Sequence, residues 1–335
     1  MEPRVSILLP VFNAERTLQQ CLDSLQSQTF ADFEIIAIDD GSSDHSPDIL
    51  LEAQKKDRRL RMVTQEHSGI VAALKAGFRV AGAPYIARMD ADDLCAPNRL
   101  ELQVDFLDTH QEIAVVGSQV GPVPGERLQQ GYLKYFEWIN QLTMPDAIGL
   151  NMFVESPMPH PSVMFRRQPY KDVGGYEDRH WPEDYDLWLR LHLAGYKFAK
   201  VPEILLYWRD HDGRATRQNP VYEVDAFYQA KAYYLAKGPL KGLNEVVVWG
   251  AGRTSRQRSS YLTDYDIRIA AYIDIDPKKI SHFVGGVPVI PPGGLTAFED
   301  HVILSYVANW GARGDIRKRL RESGKIEGRD FICCA

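Results

Sequence analysis

The chain has 335 residues, is 44% hydrophobic and 25% charged, and carries a formal net charge of −6 at pH 7. That length accommodates two domains with cores of their own, the composition is that of an ordinary globular protein, and the mild acidity excludes a nucleic-acid binder that works by overall charge alone. No apolar run approaches the roughly 20 residues that span a bilayer. The opening Met1-Glu2-Pro3-Arg4 lacks the pattern of a signal peptide. Cys21, Cys95, Cys333 and Cys334 show neither disulfide-framework nor zinc spacing, so a reducing, cytoplasmic setting is expected. The excess acid lies before residue 245, whereas 245–335 is slightly basic and leaves room for one local basic patch.

Val5-Ser6-Ile7-Leu8-Leu9 is a β-rich run closed by Pro10, which cannot donate in a central ladder. Between Ala14 and Gln28 the apolar residues Leu18, Cys21, Leu22 and Leu25 recur at helical spacing. Phe33 to Ile38 reads as a second strand, running into Asp39-Asp40-Gly41-Ser42-Ser43 and then a helix whose start is marked by Ser46-Pro47. Leu60 to Val63 is a short strand, Gly69 to Val80 a helix and Tyr85 to Met89 a fourth strand. Strands alternating with helices predict a parallel sheet covered on both faces. Consecutive strand ends then bring Pro10-Val11-Phe12-Asn13, Asp39-Asp40 and Asp90-Asp92-Asp93 to one edge, where a nucleotide cleft is expected. The run Tyr85-Ile86-Ala87-Arg88-Met89-Asp90-Ala91-Asp92-Asp93 ends in three crowded carboxylates. They read either as an Asp-x-Asp site for a hard divalent cation facing a diphosphate, or as a solvated acidic turn before the helix near Pro97.

Three motifs carry a resemblance: Val-Ser-Ile-Leu-Leu-Pro-Val-Phe-Asn at 5–13, Ile-Asp-Asp-Gly-Ser-Ser-Asp at 38–44 and Met-Asp-Ala-Asp-Asp at 89–93. In order and spacing they resemble family-2 glycosyltransferases, which implies a GT-A nucleotide-sugar-binding domain. By that resemblance Pro10 and Phe12, with Asn13 beside them, flank a uracil. Asp40, next to Asp39, takes the uracil N–H, Asp90 and Ala91 lie by the ribose, and Asp92 holds Mn²⁺ or Mg²⁺. Gly69 and Lys75 fall where the family's next nucleotide-facing helix begins. From residue chemistry alone, Phe12 reads equally as a cover for a core edge, and Asp39 and Asp40 as turn and cap residues.

Beyond Val116 the pattern is irregular. The aromatic stretch Tyr132 to Asn140 reads either as an acceptor-facing surface, through Trp138 and Asn140, or as a helix packing its rings on the sheet. Trp181-Pro182-Glu183-Asp184 opens a helix. Acids there are capping residues or, since a helix N-terminus keeps a carboxylate ionised, a base for an acceptor hydroxyl. The resemblance implies that Asp184 is the base, with Glu183 beside it and Trp181 near the acceptor. It also implies that His211, just past the strand Leu205 to Trp208, completes the metal shell.

Lys237 to Gly242 reads as a linker between a first domain (1–238) and a second (243–335). Val246-Val247-Val248-Trp249, a Gly250-Ala251-Gly252 turn, a helix and Ile269 to Asp274 form a Rossmann-like start. Ser255 stands at the third glycine and arginines crowd the turn, so acceptor binding, dimerisation or support is expected in place of a dinucleotide site. Arg313, Arg317 and Arg321 share a helical face, either solvated or turned to phosphates. Patchy similarity over most of the chain resembles a two-domain subgroup that moves galactose from UDP-galactose to queuosine in tRNA. The expected function is therefore a metal-dependent inverting transferase moving a hexose from a UDP-sugar, UDP-galactose or UDP-N-acetylglucosamine, to tRNA or to a surface glycan or lipid-linked sugar. A non-catalytic nucleotide-binding module is the remaining alternative.

Overall fold

A computed structural model describes residues 2–125, 130–210, 219–309 and 311–335. They form two compact units, one from Met1–Gly149, Pro157–Arg179 and Glu183–Arg217, the other from Leu150–Ser156, His180–Pro182 and Gln218–Ala335. The expected junction at 238–243 falls inside the second unit.

The first unit is built on an eight-stranded sheet. β1 (Val5–Val11) pairs in parallel with β2 (Phe33–Asp39) and β4 (Tyr85–Arg88), and β3 (Leu60–Thr64) extends β2. β1, β2 and β4 are buried on both faces, which is why they read as unbroken apolar runs, whereas β3 is partly exposed. α1 (Leu18–Gln26), α2 (Ser46–Lys56) and α3 (Ile70–Val80) connect them, and α1 buries Leu18, Cys21, Leu22 and Leu25 as its spacing predicts. Each such side chain contributes about 1.5–3 kcal/mol of transfer free energy.

The sheet is completed by β5 (Leu94–Cys95), β6 (Ile113–Pro122), β7 (Met164–Arg166) and β8 (Lys197–Trp208), in the order β3-β2-β1-β4-β7-β6-β8-β5. It is not wholly parallel: β7 runs antiparallel to β4 and β6, and β5 antiparallel to β8. The reason lies at Val163, whose carbonyl accepts from Arg88 N at 3.0 Å. The chain thus enters β7 beside the exit of β4 and must run back. The aromatic stretch lies in the helix α4 (Gln130–Gln141), which sends Phe136 and Ile139 into the core. Lys200 of β8, whose burial pulls its ammonium down to about 7, donates to Ile139 O at 2.6 Å in the last turn of that helix.

The second unit carries a six-stranded sheet. β9 (Glu245–Trp249) pairs in parallel with β10 (Arg268–Ile273) and β13 (Ile303–Ser305). β14 (Phe331–Cys333) extends β13, and β12 (Val287–Ile290) with β11 (Phe283–Val284) lies beyond β10. At the expected third glycine, Ser255 donates to Tyr306 O at 2.9 Å, and a Cβ on Gly250 would lie 2.6 Å from its Oγ. The N–H of Ala251 donates to Asp274, the acid that follows β10, and Lys279 pairs with that acid at 2.9 Å. This turn therefore bonds to its own unit.

Arg317 and Arg321, on the helix Ala312–Glu322, both pair with the buried Glu327, at 2.6 and 2.7 Å. Arg317 also donates to Leu150 O and Asn151 Oδ1. This part of the basic stripe is internal bracing. Arg317→Ala should lower the unfolding free energy by about 1–3 kcal/mol, since Glu327 loses its nearer cation. The exposed neighbour Arg319→Ala should change little. Equal melting temperatures for the two variants would contradict the bracing role.

Candidate active site

The acidic loop follows β4 directly. Asp90, Asp92 and Asp93 each present a carboxylate oxygen, all within 4.8 Å of one another. Asp93 is fully buried and its Oδ1 accepts from Arg209 N at 2.9 Å, while Arg209 Nε donates to the Asp92 carbonyl at 2.9 Å. The end of β8 is thereby stapled to the loop. Hard, anionic oxygen donors at this separation fit Mg²⁺ or Mn²⁺, and Asp92, the expected ligand, is among them. His211, the other expected ligand, lies outside the described residues.

One cation sits within this acid group. Arg88, the last residue of β4, is 2% exposed and pairs with Asp90. Burial works against its charge, but the Asp90 carboxylate and its hydrogen bond outweigh that and hold the guanidinium firmly protonated. The sequence signal for Arg88 was available: an arginine inside a buried strand must find a counter-charge.

The helix α5 (Glu183–Leu193) carries Glu183 and Asp184 in its first turn. Glu183 is buried, 3.4 Å from His160 Nδ1, and the other ring nitrogen of His160 lies 2.7 Å from the Tyr176 hydroxyl. Burial, with the nearby Arg88 charge, keeps this imidazole neutral. Asp184 accepts from Tyr185 N at 2.6 Å. Its carboxyl is pushed up to about 8, first by burial and then by the Glu183 charge, against the opposing pull of the Tyr185 N–H and Arg88. Asp184, Asp90, Glu183 and Arg88 therefore form one electrostatic group. A carboxylate with its proton affinity raised into the neutral range suits a general base.

The other two loops interlock. Asn13, in the left-handed region with φ 50°, accepts from Ser43 N at 2.8 Å and donates through its own N–H to Ser42 Oγ. Asp39 is buried and accepts from Ser42 N, so it caps the turn. Asp40 faces the 65–69 loop: Oδ1 accepts from Gln65 Nε2 at 2.6 Å and Ser68 N at 3.0 Å, and Oδ2 from Gly69 N at 2.9 Å. His67 Nδ1 lies 2.9 Å from that same Oδ2, and its ring stacks on Phe12 with centroids 3.9 Å apart and planes 17° apart. Gly41 permits this approach, because a Cβ there would lie 2.7 Å from His67 N. Lys75 and Arg79 line a neighbouring cleft of about 260 Å³ with Gln65 and Ser68. Sequence reasoning singled out Phe12 and Asp40 but not His67 or Gln65, which meet them only through the fold.

The residues expected at the acceptor are dispersed in role. Asn140 bonds through both side-chain atoms to the backbone of Val120. Trp138 packs against the core of the first unit. Trp181 stacks near Tyr233 in the second.

The description "Glycosyl transferase family 2" matches residues 6–174. The chain is 30% identical over 231 residues to the putative glycosyltransferase EpsE of Bacillus subtilis, covering 67% of this chain and 79% of that one. It is 30% identical over 206 residues to the amylovoran biosynthesis glycosyltransferase AmsE of Erwinia amylovora, covering 60% and 74%. Among solved structures, S. aureus TarS 1–349 in complex with UDP-GlcNAc superposes with a TM-score of 0.57 at 18% identity, over 79% of this chain and 71% of that one. The mannosyltransferase PcManGT from Pyrobaculum calidifontis, in complex with GDP-Man and Mn²⁺, gives 0.52 at 18% identity, over 78% and 70%. At such identities these structures share the fold. Fold and relatives together define an enzyme that transfers glycosyl groups. The chain belongs to glycosyltransferase family 2.

Proposed function

We propose that this enzyme moves a hexose from a UDP-sugar to an acceptor hydroxyl by a single inverting displacement. The observation that supports the reading is Asp184, in the first turn of its helix, whose carboxyl is pushed up to about 8 by burial and the Glu183 charge and feels the charge of Asp90. Asp184 takes the proton as the acceptor oxygen attacks the anomeric carbon, and the diphosphate leaves. Asp92 and Asp90 would hold Mn²⁺ or Mg²⁺, which supplies positive charge for the diphosphate. Phe12 and Asp40 receive the base, and Lys75 borders it. The neighbour crystallised with UDP-GlcNAc supports a UDP donor.

For the acceptor, a glycan hydroxyl is favoured. One relative is named for amylovoran biosynthesis, and Arg317 and Arg321, the expected contacts to tRNA, are both paired with Glu327. In a gel shift at low salt, tRNA is therefore expected to remain free. A shift abolished by reversing the charges of Arg317 and Arg321 would restore the tRNA reading.

Two substitutions separate the roles within the site. Asp184→Asn should lower kcat by about 10³-fold or more while leaving UDP affinity nearly intact. Asp92→Ala should remove the Mn²⁺-dependent part of UDP binding, read by calorimetry with and without the ion. Loss of nucleotide affinity with normal turnover in Asp184→Asn would sink the assignment.

The pH dependence has a definite sign. A base is active when ionised, and the Asp184 proton is retained up to about 8, so kcat/KM should climb with pH through the neutral range and level off above it. Glu183→Gln removes a charge that raises this value, so the rising limb should move to lower pH. A limb left near 4, the ordinary carboxylate range, would contradict it.

A further inference from the structure

The Asp40 carboxylate is crowded. Gln65 Nε2 and Ser68 N donate to Oδ1 and Gly69 N donates to Oδ2, while His67 Nδ1, hydrogen-bonded to the Asp40 carbonyl at 3.1 Å, stands 2.9 Å from Oδ2. A nucleobase N–H directed at Oδ2 meets one of these groups there. Two of them, Ser68 N and Gly69 N, belong to the backbone. That backbone is held close, because Gly41 lies against His67 N without room for a Cβ. The displaceable donors are the side chains of Gln65 and His67.

His67 blocks more than a lone pair. Its ring also covers a face of Phe12, at 3.9 Å and 17°. Nδ1 lies within reach of two acceptors, the Asp40 carboxylate at 2.9 Å and the Asp40 carbonyl at 3.1 Å, so it bears the proton. A flat ring stacked on Phe12 and donating a ring N–H to Asp40 is what a bound uracil would present there. The imidazole lies at the surface, with its side chain 55% exposed.

We propose that His67 stands in for the nucleobase in the free protein and is exchanged for it when the donor binds. The inference rests on the reading that Phe12 and Asp40 form the base site. It makes two demands. Removing the imidazole removes a competitor, so nucleotide affinity rises. The incoming base must replace a ring N–H, which uracil and guanine carry and adenine and cytosine do not.

Calorimetry in Mn²⁺ buffer tests both, using UDP and ADP with the parent, His67→Ala, His67→Phe and Phe12→Ala. A stacked, hydrogen-bonded plug leaves the site open only part of the time, and its loss should tighten UDP binding by about tenfold. His67→Phe keeps a ring to cover Phe12 and should not tighten to that extent. Phe12→Ala should weaken UDP binding, and ADP should bind poorly throughout. If His67→Ala binds UDP equally or more weakly while Phe12→Ala weakens it, His67 is a partner of the base and not its substitute, and the inference falls while the base site stands. If neither substitution changes UDP affinity, the base lies elsewhere and both readings fall together.

Discussion

Carboxylates gathered at one sheet edge repel one another, and Arg88 is the buried charge that lets this edge exist. Its guanidinium sits at the end of β4, pairs with Asp90 and acts on Asp184. In a low-dielectric setting, unpaired like charges would either protonate or push the loops apart. The Arg88 cation draws the Asp184 proton affinity down against burial and the Glu183 charge. The loop is held from the other side by Arg209, which bonds to Asp93 and to the Asp92 carbonyl.

The remaining loops of the edge are held by side chains bonding to backbone across strand boundaries. Asn13 accepts from Ser43, Ser46 Oγ accepts from Ala14 N, and Asp44 accepts from Glu15 N while Glu15 accepts from His45 N. These reciprocal bonds join the ends of β1 and β2 into one rigid lip. Catalysis by position requires such rigidity, because a base or a stacking ring is effective only where the substrate will be. Against this lip, the side chain of His67 is held by its stack on Phe12 and its bond to the Asp40 carbonyl, and is half-exposed.

The second unit uses its charges differently. Lys231, on the helix Val224–Lys237, is buried, donates to Val154 O and Cys334 O, and lies 4.1 Å over the Tyr228 ring. Burial pulls its ammonium down to about 8. Together with Arg317, Arg321 and Asp274, it shows a unit whose prominent ionic groups tie its own segments together.

The sequence by itself determined the alternating strands and helices, the three motif loops at successive strand ends, the acidic opening of α5 and the Rossmann-like second unit. These follow from local signals: apolar periodicity, turn residues and chain order. Where the chain folds back, local signals ran out. Tertiary structure alone decided that β7 returns antiparallel, that Arg88 pairs with Asp90, that Asn140 braces Val120 and that Arg317 and Arg321 serve Glu327. It also decided that His67 lies on Phe12. Phe12 and His67 are 55 positions apart in the numbering, and no period links them. A side chain's partner is set by which strands become neighbours, and that depends on the packing of the whole sheet, so the same residue can read as ligand or brace until the fold is known.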